Sequence, residues 1–161
     1  MIKQKIRLYL DDIRTPKDTD WVTVRDYNEF VSIIRLNGLD KFETISLDHD
    51  LGESAMVEYY TNVKNNYKLE YDNIVNEKTG YDAAKFIVAL SMEKGIPLPN
   101  VYVHSANPIG SANIMGYVNN YLMNCHLPQT CERVRIEHTI DETIQLSAEA
   151  RAAKWDRSPK K

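Results

Sequence analysis

The sequence contains Leu8-Tyr9-Leu10-Asp11-Asp12 near its start and Ile45-Ser46-Leu47-Asp48-His49-Asp50-Leu51-Gly52 further on, and these two stretches are the most informative about the fold. Each is an apolar, strand-forming run that stops at carboxylates. A buried parallel strand that ends in acidic residues carries them to the edge of its sheet, where open α/β folds bind their ligands. The two stretches therefore predict an α/β protein with an acidic site at one edge of the sheet.

The composition fits one globular domain. Hydrophobic residues make up 43% of the 161 and charged residues 27%, which is ordinary for a globular protein. No apolar run approaches the ~20 residues that span a bilayer, and the N-terminus has no signal-peptide core or cleavage site. We therefore expect a cytoplasmic protein with no membrane partner.

Charge and cysteine content argue against two other classes of protein. The net charge of -3 gives no general attraction to polyanions, so general DNA binding is not expected. Cys125 and Cys131 lie near His126, but their spacing matches no common zinc motif. We expect two reduced thiols there rather than a metal site.

Strand and helix signals alternate along the chain, which predicts a mostly parallel, five-stranded sheet with flanking helices. The predicted strands are 6–10, 21–24, 42–47, 101–103 and 133–136. Helices are predicted from Asp26 to Gly38, from Thr79 to Gly95 and through Ile114 to Leu122. Asp26 is the predicted N-cap of the first helix, and Gly38 and Gly95 end the first and second. We assign residues 1–145 to the α/β domain and residues 146–161 to a C-terminal helix with a frayed tail.

Two parts of this pattern are irregular. Few residues separate the first two strands, too few for the helix that usually connects parallel neighbours, so either the first crossover helix is missing or the second strand is an edge element. Both versions keep strands one, three and four adjacent, with their carboxyl ends on one rim. Residues 53–78 form an insertion rich in tyrosine and asparagine, which predicts either a lid that selects substrates or a mobile loop.

The acidic residues at the strand ends predict a metal site. If strands one and three are neighbours, Asp11, Asp12 and Asp48 converge with Asp50 close by, and clustered carboxylates repel each other unless a cation lies among them. Such hard oxygen ligands favour Mg²⁺ or Mn²⁺, and Mg²⁺ sites are usually completed by waters and phosphate oxygens. The alternative is that Asp11 and Asp48 only cap a helix or a turn.

His49 and His104 lie beside these acids at the ends of two predicted strands. Histidine has the unperturbed pKa best suited to acid–base catalysis near neutral pH. We therefore expect either ring to protonate a leaving oxygen or to activate water. The alternative is that each histidine only hydrogen-bonds a nearby carbonyl.

Polar residues near two of the strand ends predict a phosphate-binding site. Ser105 and Asn107 offer hydrogen bonds to a phosphoryl group, and the helix that begins at Pro108 presents its N-terminus to an anion. Arg14 is the cation nearest in sequence to the first acidic pair, and a guanidinium grips phosphate in a fork. The alternative for Arg14 is a surface position in a turn, and the tyrosines of 53–78 either stack on a base or pack against the domain.

These residues resemble a receiver domain in four places. An acidic pair follows strand one, and Asp48-His49-Asp50-Leu51-Gly52 stands in place of the receiver motif Asp-x-x-Leu/Met-Pro. Gly80 lies in the following helix, and Ser105-Ala106 follows strand four. The chain departs from the receiver pattern in its missing first helix, in its insertion, and in having no lysine within 133–138, where receivers carry one.

The resemblance implies a role for each matching residue. Asp48 corresponds to the receiver aspartate that accepts a phosphoryl group, and it is either a nucleophile or only a metal ligand. Asp11 and Asp12 correspond to the pair that holds Mg²⁺. Ser105 corresponds to the hydroxyl that follows the phosphorylation state.

The fuller pattern resembles the receiver-derived group called cyclic-phosphate processing receiver domains, found in bacteria and phages. Four blocks between residue 6 and about residue 122 carry it: Leu-Tyr-Leu-Asp-Asp-Ile-Arg-Thr-Pro, Ser-Leu-Asp-His-Asp-Leu-Gly, Thr-Gly-Tyr-Asp-Ala-Ala and Val-His-Ser-Ala-Asn-Pro-Ile-Gly. This resemblance implies a metal-dependent phosphoesterase or phosphotransferase that acts on a nucleotide or RNA end bearing a cyclic phosphate. It also implies a link to RNA repair, or a phage accessory or counter-defence role.

Two other functions fit the same residues. A non-catalytic protein that sequesters a cyclic nucleotide would keep the pocket but would not depend on Asp48. A phosphoacceptor receiver module would need a phosphodonor kinase and the strand-five lysine. Turnover of a cyclic phosphate separates the enzyme from both.

Overall fold

A five-stranded parallel sheet forms the centre of the protein. The computed structural model describes residues 5–140, and the C-terminal helix and tail predicted for 146–161 lie outside this range. The described strands are β1 (Ile6–Leu10), β2 (Arg14–Pro16), β3 (Trp21–Val24), β4 (Phe42–Leu47), β5 (Asn100–Val103), β6 (Glu132–Arg133) and β7 (His138–Ile140). Five of them pair in the order β3-β1-β4-β5-β6, all parallel, which confirms the predicted receiver-like α/β fold.

The strand order places a ligand crevice where the acidic residues lie. With β2 left out, the order is that of the flavodoxin-like doubly wound fold, in which ligands bind beyond the carboxyl ends of the strands where the order reverses. That reversal falls between β1 and β4. The register pairs Leu10 with Leu47 and Leu47 with Val103, so the ends of β1, β4 and β5 lie side by side.

The short connection between the first two sheet strands contains no helix. The chain instead forms β2, which pairs antiparallel with β7, and then places β3 at the edge of the sheet. Both interpretations of the short connection are therefore right, because the crossover helix is missing and the second sheet strand is an edge strand.

The fifth sheet strand differs from the prediction. It covers Glu132–Arg133 rather than 133–136, and the N–H of Val134 makes one more bond to the carbonyl of Val103 at 2.8 Å. The chain then leaves the sheet to pair with β2, where the N–H of Lys17 donates to the carbonyl of Glu137 at 3.0 Å. Competition from this second pairing shortens the strand.

Three long helices pack side by side on one face of the sheet. The described α-helices are α1 (Tyr27–Asn37), α2 (Glu53–Glu58), α3 (Lys64–Asn66), α4 (Gly80–Lys94) and α5 (Pro108–Asn124). Apolar residues of α1, α4 and α5 form the core with Leu8, Ile45 and Val101 of the sheet. Local signals explain the starts of the predicted helices, because Asp26 accepts a bond from the N–H of Glu29 at 2.8 Å and Thr79 forms a capping box. Within residues 5–140, no helix is both long and apolar enough to cross a bilayer.

The insertion at 53–78 is more regular than its sequence indicates. Residues 53–66 form one helical run in which a π turn, Tyr59–Val63, joins α2 to α3, and a 3-10 turn follows at Tyr71–Asn73. A π turn adds a residue to one turn of the helix and shifts the 3.6-residue period. The inward face also includes a buried glutamate, Glu58. These two features hide the helical pattern in the sequence.

Candidate metal centre

Three aspartates converge at the carboxyl ends of β1 and β4. The backbone N–H of Asp11 donates to the carbonyl of Val24 at 3.1 Å and that of Asp48 to the carbonyl of Leu10 at 2.9 Å, so the sheet ladder itself fixes both residues. One carboxylate oxygen each from Asp11, Asp12 and Asp48 lie within 4.8 Å of one another. The structure thus brings together the acids that the sequence predicted to converge.

The electrostatics of this cluster suit a cation. Burial, followed by the charges of Asp11, Asp50 and Asp12, raises the pKa of Asp48 well above its ordinary value. Burial and the charge of Asp11 also raise the pKa of Asp12 to about 7. A divalent cation would offset this repulsion, and carboxylate oxygens are the ligands that Mg²⁺ and Mn²⁺ prefer. The residues present therefore fit such a metal.

Asp11 has structural partners on both of its carboxylate oxygens. Its Oδ1 accepts bonds from the N–H groups of Ile13 at 3.0 Å and Arg14 at 2.8 Å, so Asp11 does cap a turn. Its Oδ2 lies 3.0 Å from Nε2 of His104 and 3.9 Å from Nη1 of Arg14. Asp11 combines the turn-capping role with a place in the acidic cluster, whereas Asp12 and Asp48 have more capacity for a ligand.

His104 lies behind Asp11 rather than in open space. Its ring stacks on Tyr9 with centroids 4.0 Å apart, and burial lowers the pKa of His104. Since a carboxylate only accepts hydrogen bonds, Nε2 carries the proton that is donated to Asp11. Nδ1 then accepts from the Ser46 hydroxyl at 2.7 Å. The result is a buried chain of hydroxyl, imidazole and carboxylate.

His49 forms a second chain of the same kind behind Asp50. Its Nδ1 donates to Asp50 Oδ1 at 2.6 Å, and its Nε2 lies 3.0 Å from the hydroxyl of Tyr71. The amide of Asn113 donates to that hydroxyl at 3.1 Å, which leaves the Tyr71 proton for His49. The amide of Asn107 also donates to Asp50 at 3.2 Å. Asp50 is therefore held from two sides.

These contacts change the roles that the geometry supports for three predicted site residues. His49 is fully buried and His104 nearly so, and each ring nitrogen already has a partner. Asn107 caps α5 because its side-chain oxygen accepts from the N–H of Gly110 at 2.9 Å, and its side-chain NH₂ donates to Asp50. All three hold other groups in place instead of lining the open part of the site.

The residues that complete these chains were not predicted from the sequence: they are Ser46, Asn113 and, through its hydroxyl, Tyr71. Ser46 leaves a signal in the sequence, because it is a polar side chain within an apolar strand run. Asn113 leaves none, since its position on α5 becomes meaningful only once Tyr71 of the insertion lies against it.

A cleft of about 210 Å³ opens onto the acidic cluster. Its polar lining consists of Asp12, Arg14, Asp48, Asp50 and Ser105. Arg14 donates to the carbonyl of His104 at 3.2 Å, and in the described structure its buried Nε has no hydrogen-bond partner. The cleft thus sets a cation and a hydroxyl beside the carboxylates, as a phosphate-binding site requires.

Two glycines allow the helices to approach the site closely. The N–H of Gly80 donates to the carbonyl of His49 at 2.8 Å, and a Cβ at Gly80 would lie 1.8 Å from the carbonyl oxygen of Asp48. A Cβ at Gly110 would lie 2.3 Å from the His49 ring. Both helix N-termini therefore depend on the absence of a side chain.

Comparison with known protein families identifies the family to which this architecture belongs. A family model described as the cyclic-phosphate processing receiver domain matches residues 6–120. The chain belongs to this family. Comparison with curated proteins and with solved structures gives no match. The range matched by the cyclic-phosphate processing receiver domain contains every residue that lines the cleft.

In this cyclic-phosphate processing receiver domain, the cation at the fifth sheet strand does not line the cleft. Arg133 donates from Nε and Nη2 to the carbonyl of Ser105 at 3.1 and 2.8 Å. It therefore supports the backbone beside the cleft. Arg14, from the connection after β1, is the cation that lines the cleft.

Proposed function

We propose that the protein is a metal-dependent phosphoesterase or phosphotransferase that acts on a nucleotide or RNA end bearing a cyclic phosphate. The observation that carries this proposal is the cleft in which Asp12 and Asp48 lie beside Arg14 and Ser105. Membership of the cyclic-phosphate processing receiver family supports the choice of substrate.

Each side chain has a place in this proposal. Asp12 and Asp48, with Asp11 and Asp50 beside them, would hold Mg²⁺ or Mn²⁺. The metal, when bound, supplies positive charge to the phosphate oxygens and makes a bound water more acidic. Arg14 and Ser105 bind the remaining phosphate oxygens by charge and by a hydroxyl hydrogen bond.

Water attack on phosphorus is the reaction that this arrangement favours. Addition of one water to the cyclic diester breaks one of its two ester bonds, which gives a phosphomonoester and a free hydroxyl. His104 and His49 contribute by keeping Asp11 and Asp50 oriented, because their ring nitrogens are already hydrogen-bonded. This role replaces direct proton transfer from either histidine to the leaving oxygen.

Phosphorus NMR of a nucleoside 2′,3′-cyclic phosphate with Mg²⁺ or Mn²⁺ tests the proposal. We expect the wild type to produce the monoester and Asp48→Asn to lose at least 100-fold in rate while still binding nucleotide. Asp40→Asn, an exposed aspartate paired with Lys41, is the control and is expected to act as wild type.

Two other results would contradict the proposal that the protein is an enzyme. Binding of the cyclic nucleotide without turnover, unchanged in Asp48→Asn, would indicate a sequestering protein. Labelling of Asp48 by acetyl phosphate without turnover would indicate a phosphoacceptor module.

A further inference from the structure

Part of the cleft is lined by large side chains from the insertion. Met56, Tyr59 and Tyr60 share the cleft with Asp48 and Arg14. Positions i, i+3 and i+4 lie on one face of a helix, so these three side chains form a continuous surface. The cleft therefore has a charged part at the strand ends and a mainly aromatic part on the helical run 53–66.

The helical run also has an inward face, distinct from the residues that line the cleft. Ala55, Glu58 and Val63 are the members of the run that are buried. The Glu58 carboxylate accepts bonds from the amides of Asn62 and Asn73. Tyr59 and Tyr60 are partly exposed and line the cleft.

The helical run is also fixed at its start. The Glu77 carboxylate accepts from the N–H of Ala55 at 2.6 Å, and the Ser54 hydroxyl both accepts from the N–H of Val75 at 3.1 Å and donates to its carbonyl at 3.2 Å. The later part of the insertion thus holds the run in place before any ligand binds. A preorganised surface loses less entropy when a ligand arrives.

The two tyrosine rings are held in a defined arrangement. Their centroids lie 5.2 Å apart at an interplanar angle of 79°, and Nζ of Lys64 lies 5.3 Å from the centroid of Tyr60. A flat ring beside a phosphate site offers a surface on which any nucleobase can stack, because every base has a π face. The π turn starts at Tyr59, and such turns are frequent at functional sites.

We propose that Tyr59 and Tyr60 form a base-stacking subsite, so that the substrate is a nucleoside cyclic phosphate of any base rather than a base-free cyclic phosphate. This inference rests on the proposed function, since it uses the same cleft. The phosphate lies at Arg14 and the carboxylates, while the base lies on the tyrosines. Stacking without a hydrogen-bond code gives affinity for nucleosides with little preference among bases.

Calorimetry with the product class, a nucleoside 3′-monophosphate, tests the subsite without requiring turnover. Tyr60→Leu and Tyr59→Leu keep an apolar side chain but remove the ring, and we expect binding to weaken between about 5- and 150-fold, the equivalent of ~1–3 kcal/mol for stacking one base. Tyr60→Phe keeps the ring and should bind within about twofold of wild type. Tyr67→Leu changes a tyrosine of the same insertion that is 73% exposed, and it should have no effect.

Inorganic phosphate is the base-free probe in the same experiment. We expect its binding to be equal in wild type and in the leucine variants. Equal losses for phosphate and nucleotide would overturn the subsite, as would unchanged nucleotide binding in both leucine variants or a Tyr60→Phe variant as weak as Tyr60→Leu.

Failure of the subsite and failure of the proposed function give different results. A wild type that hydrolyses cyclic nucleotides while the leucine variants bind normally would refute only the subsite. A wild type without turnover, whose nucleotide binding still depends on the tyrosine rings, would refute only the proposed enzymatic activity. No nucleotide binding by the wild type would refute the subsite.

Discussion

At the residue scale, a histidine beside an aspartate can serve the site without facing the substrate. Asp48 and Asp50 line the cleft, while His49 between them is buried behind it. The burial of His49 follows from a bend just after β4, which the sequence does not reveal. The role of His104 is not readable, because its partners Asp11 and Ser46 lie 93 and 58 residues away along the chain.

The Ser46 hydroxyl provides a test of the chain behind Asp11. Ser46→Ala leaves the buried Nδ1 of His104 without a donor, and we expect the free energy of unfolding to fall by ~1–3 kcal/mol. Because His104 in turn donates to Asp11, loss of this support should also weaken Mg²⁺ binding by about 10-fold or more. Urea unfolding and calorimetry measure the two effects.

Ser91→Ala is the matched control for this change. Ser91 is equally buried, and its hydroxyl donates to the carbonyl of Ile96 at 2.5 Å, but it lies near the end of α4 that is far from the site. We expect Ser91→Ala to lower stability without changing Mg²⁺ affinity. Equal loss of Mg²⁺ affinity in both variants would contradict the specific role of Ser46.

At the element scale, the parts of the fold that local signals specify were predictable. The capped starts of α1 and α4 and the acid-terminated strands β1 and β4 are each encoded within a few adjacent residues. The helical run 53–66 was not predictable, because its period is shifted by a π turn and its inward face includes Glu58. The short length of β6 was also not predictable, because the chain leaves the sheet after β6 so that β7 can pair with β2, which is far away in the sequence.

The first turn of α4 depends on a close approach that can be tested. A Cβ at Gly80 would lie 1.8 Å from the carbonyl oxygen of Asp48, so Gly80→Ala must shift either the helix or the strand end. We expect a loss of at least ~1–3 kcal/mol in the free energy of unfolding, as for overpacked cores, together with weaker Mg²⁺ binding. Chemical unfolding and calorimetry check both.

Gly116 of α5 supplies the comparison. Outside the adjoining turns of its own helix, a Cβ there would meet no atom within 4 Å, and alanine has the higher helix propensity, so Gly116→Ala should stabilise the protein by about 0.5–1 kcal/mol. If Gly80→Ala were as stable as Gly116→Ala, α4 would not lie as close to Asp48 as the structure shows.

At the scale of the whole molecule, the fold places like charges together at the point where ligands bind. The strand order brings β1 and β4 side by side, and both strands end in aspartates that repel each other. The sequence indicated this convergence because the acids directly follow strands. It left open whether the tyrosines of 53–78 stack on a base or pack against the domain, because the tyrosines that line the cleft are set by how the insertion folds back over the ends of the strands.

This crowding predicts how stability depends on pH and on metal. The raised pKa of Asp12, about 7, means that between about pH 4 and pH 7 the metal-free native protein keeps a proton that the unfolded chain has lost. Its free energy of unfolding therefore falls as pH rises through this window. Mg²⁺ binds the ionised carboxylate, so the increase in Tm that Mg²⁺ produces should be larger near pH 8 than near pH 5.5.

Thermal unfolding with and without Mg²⁺ at the two pH values measures this difference. The Asp12→Asn variant has no proton to lose at this position, and its response to pH should be smaller. An equal or larger Mg²⁺ effect at the lower pH in the wild type would contradict the assignment of Asp12 as a crowded metal ligand.

Calorimetric titration of the protein with Mg²⁺ shows whether acids from distant segments of the chain form one cation site. We predict that the wild type and Asp40→Asn bind Mg²⁺ at one site and that Asp48→Asn loses this binding. Asp48→Asn should also raise the stability of the metal-free protein, because a neutral amide replaces a crowded, buried carboxyl. A wild type that does not bind Mg²⁺, or an Asp48→Asn variant that binds it equally well, would mean that these acids do not form a cation site.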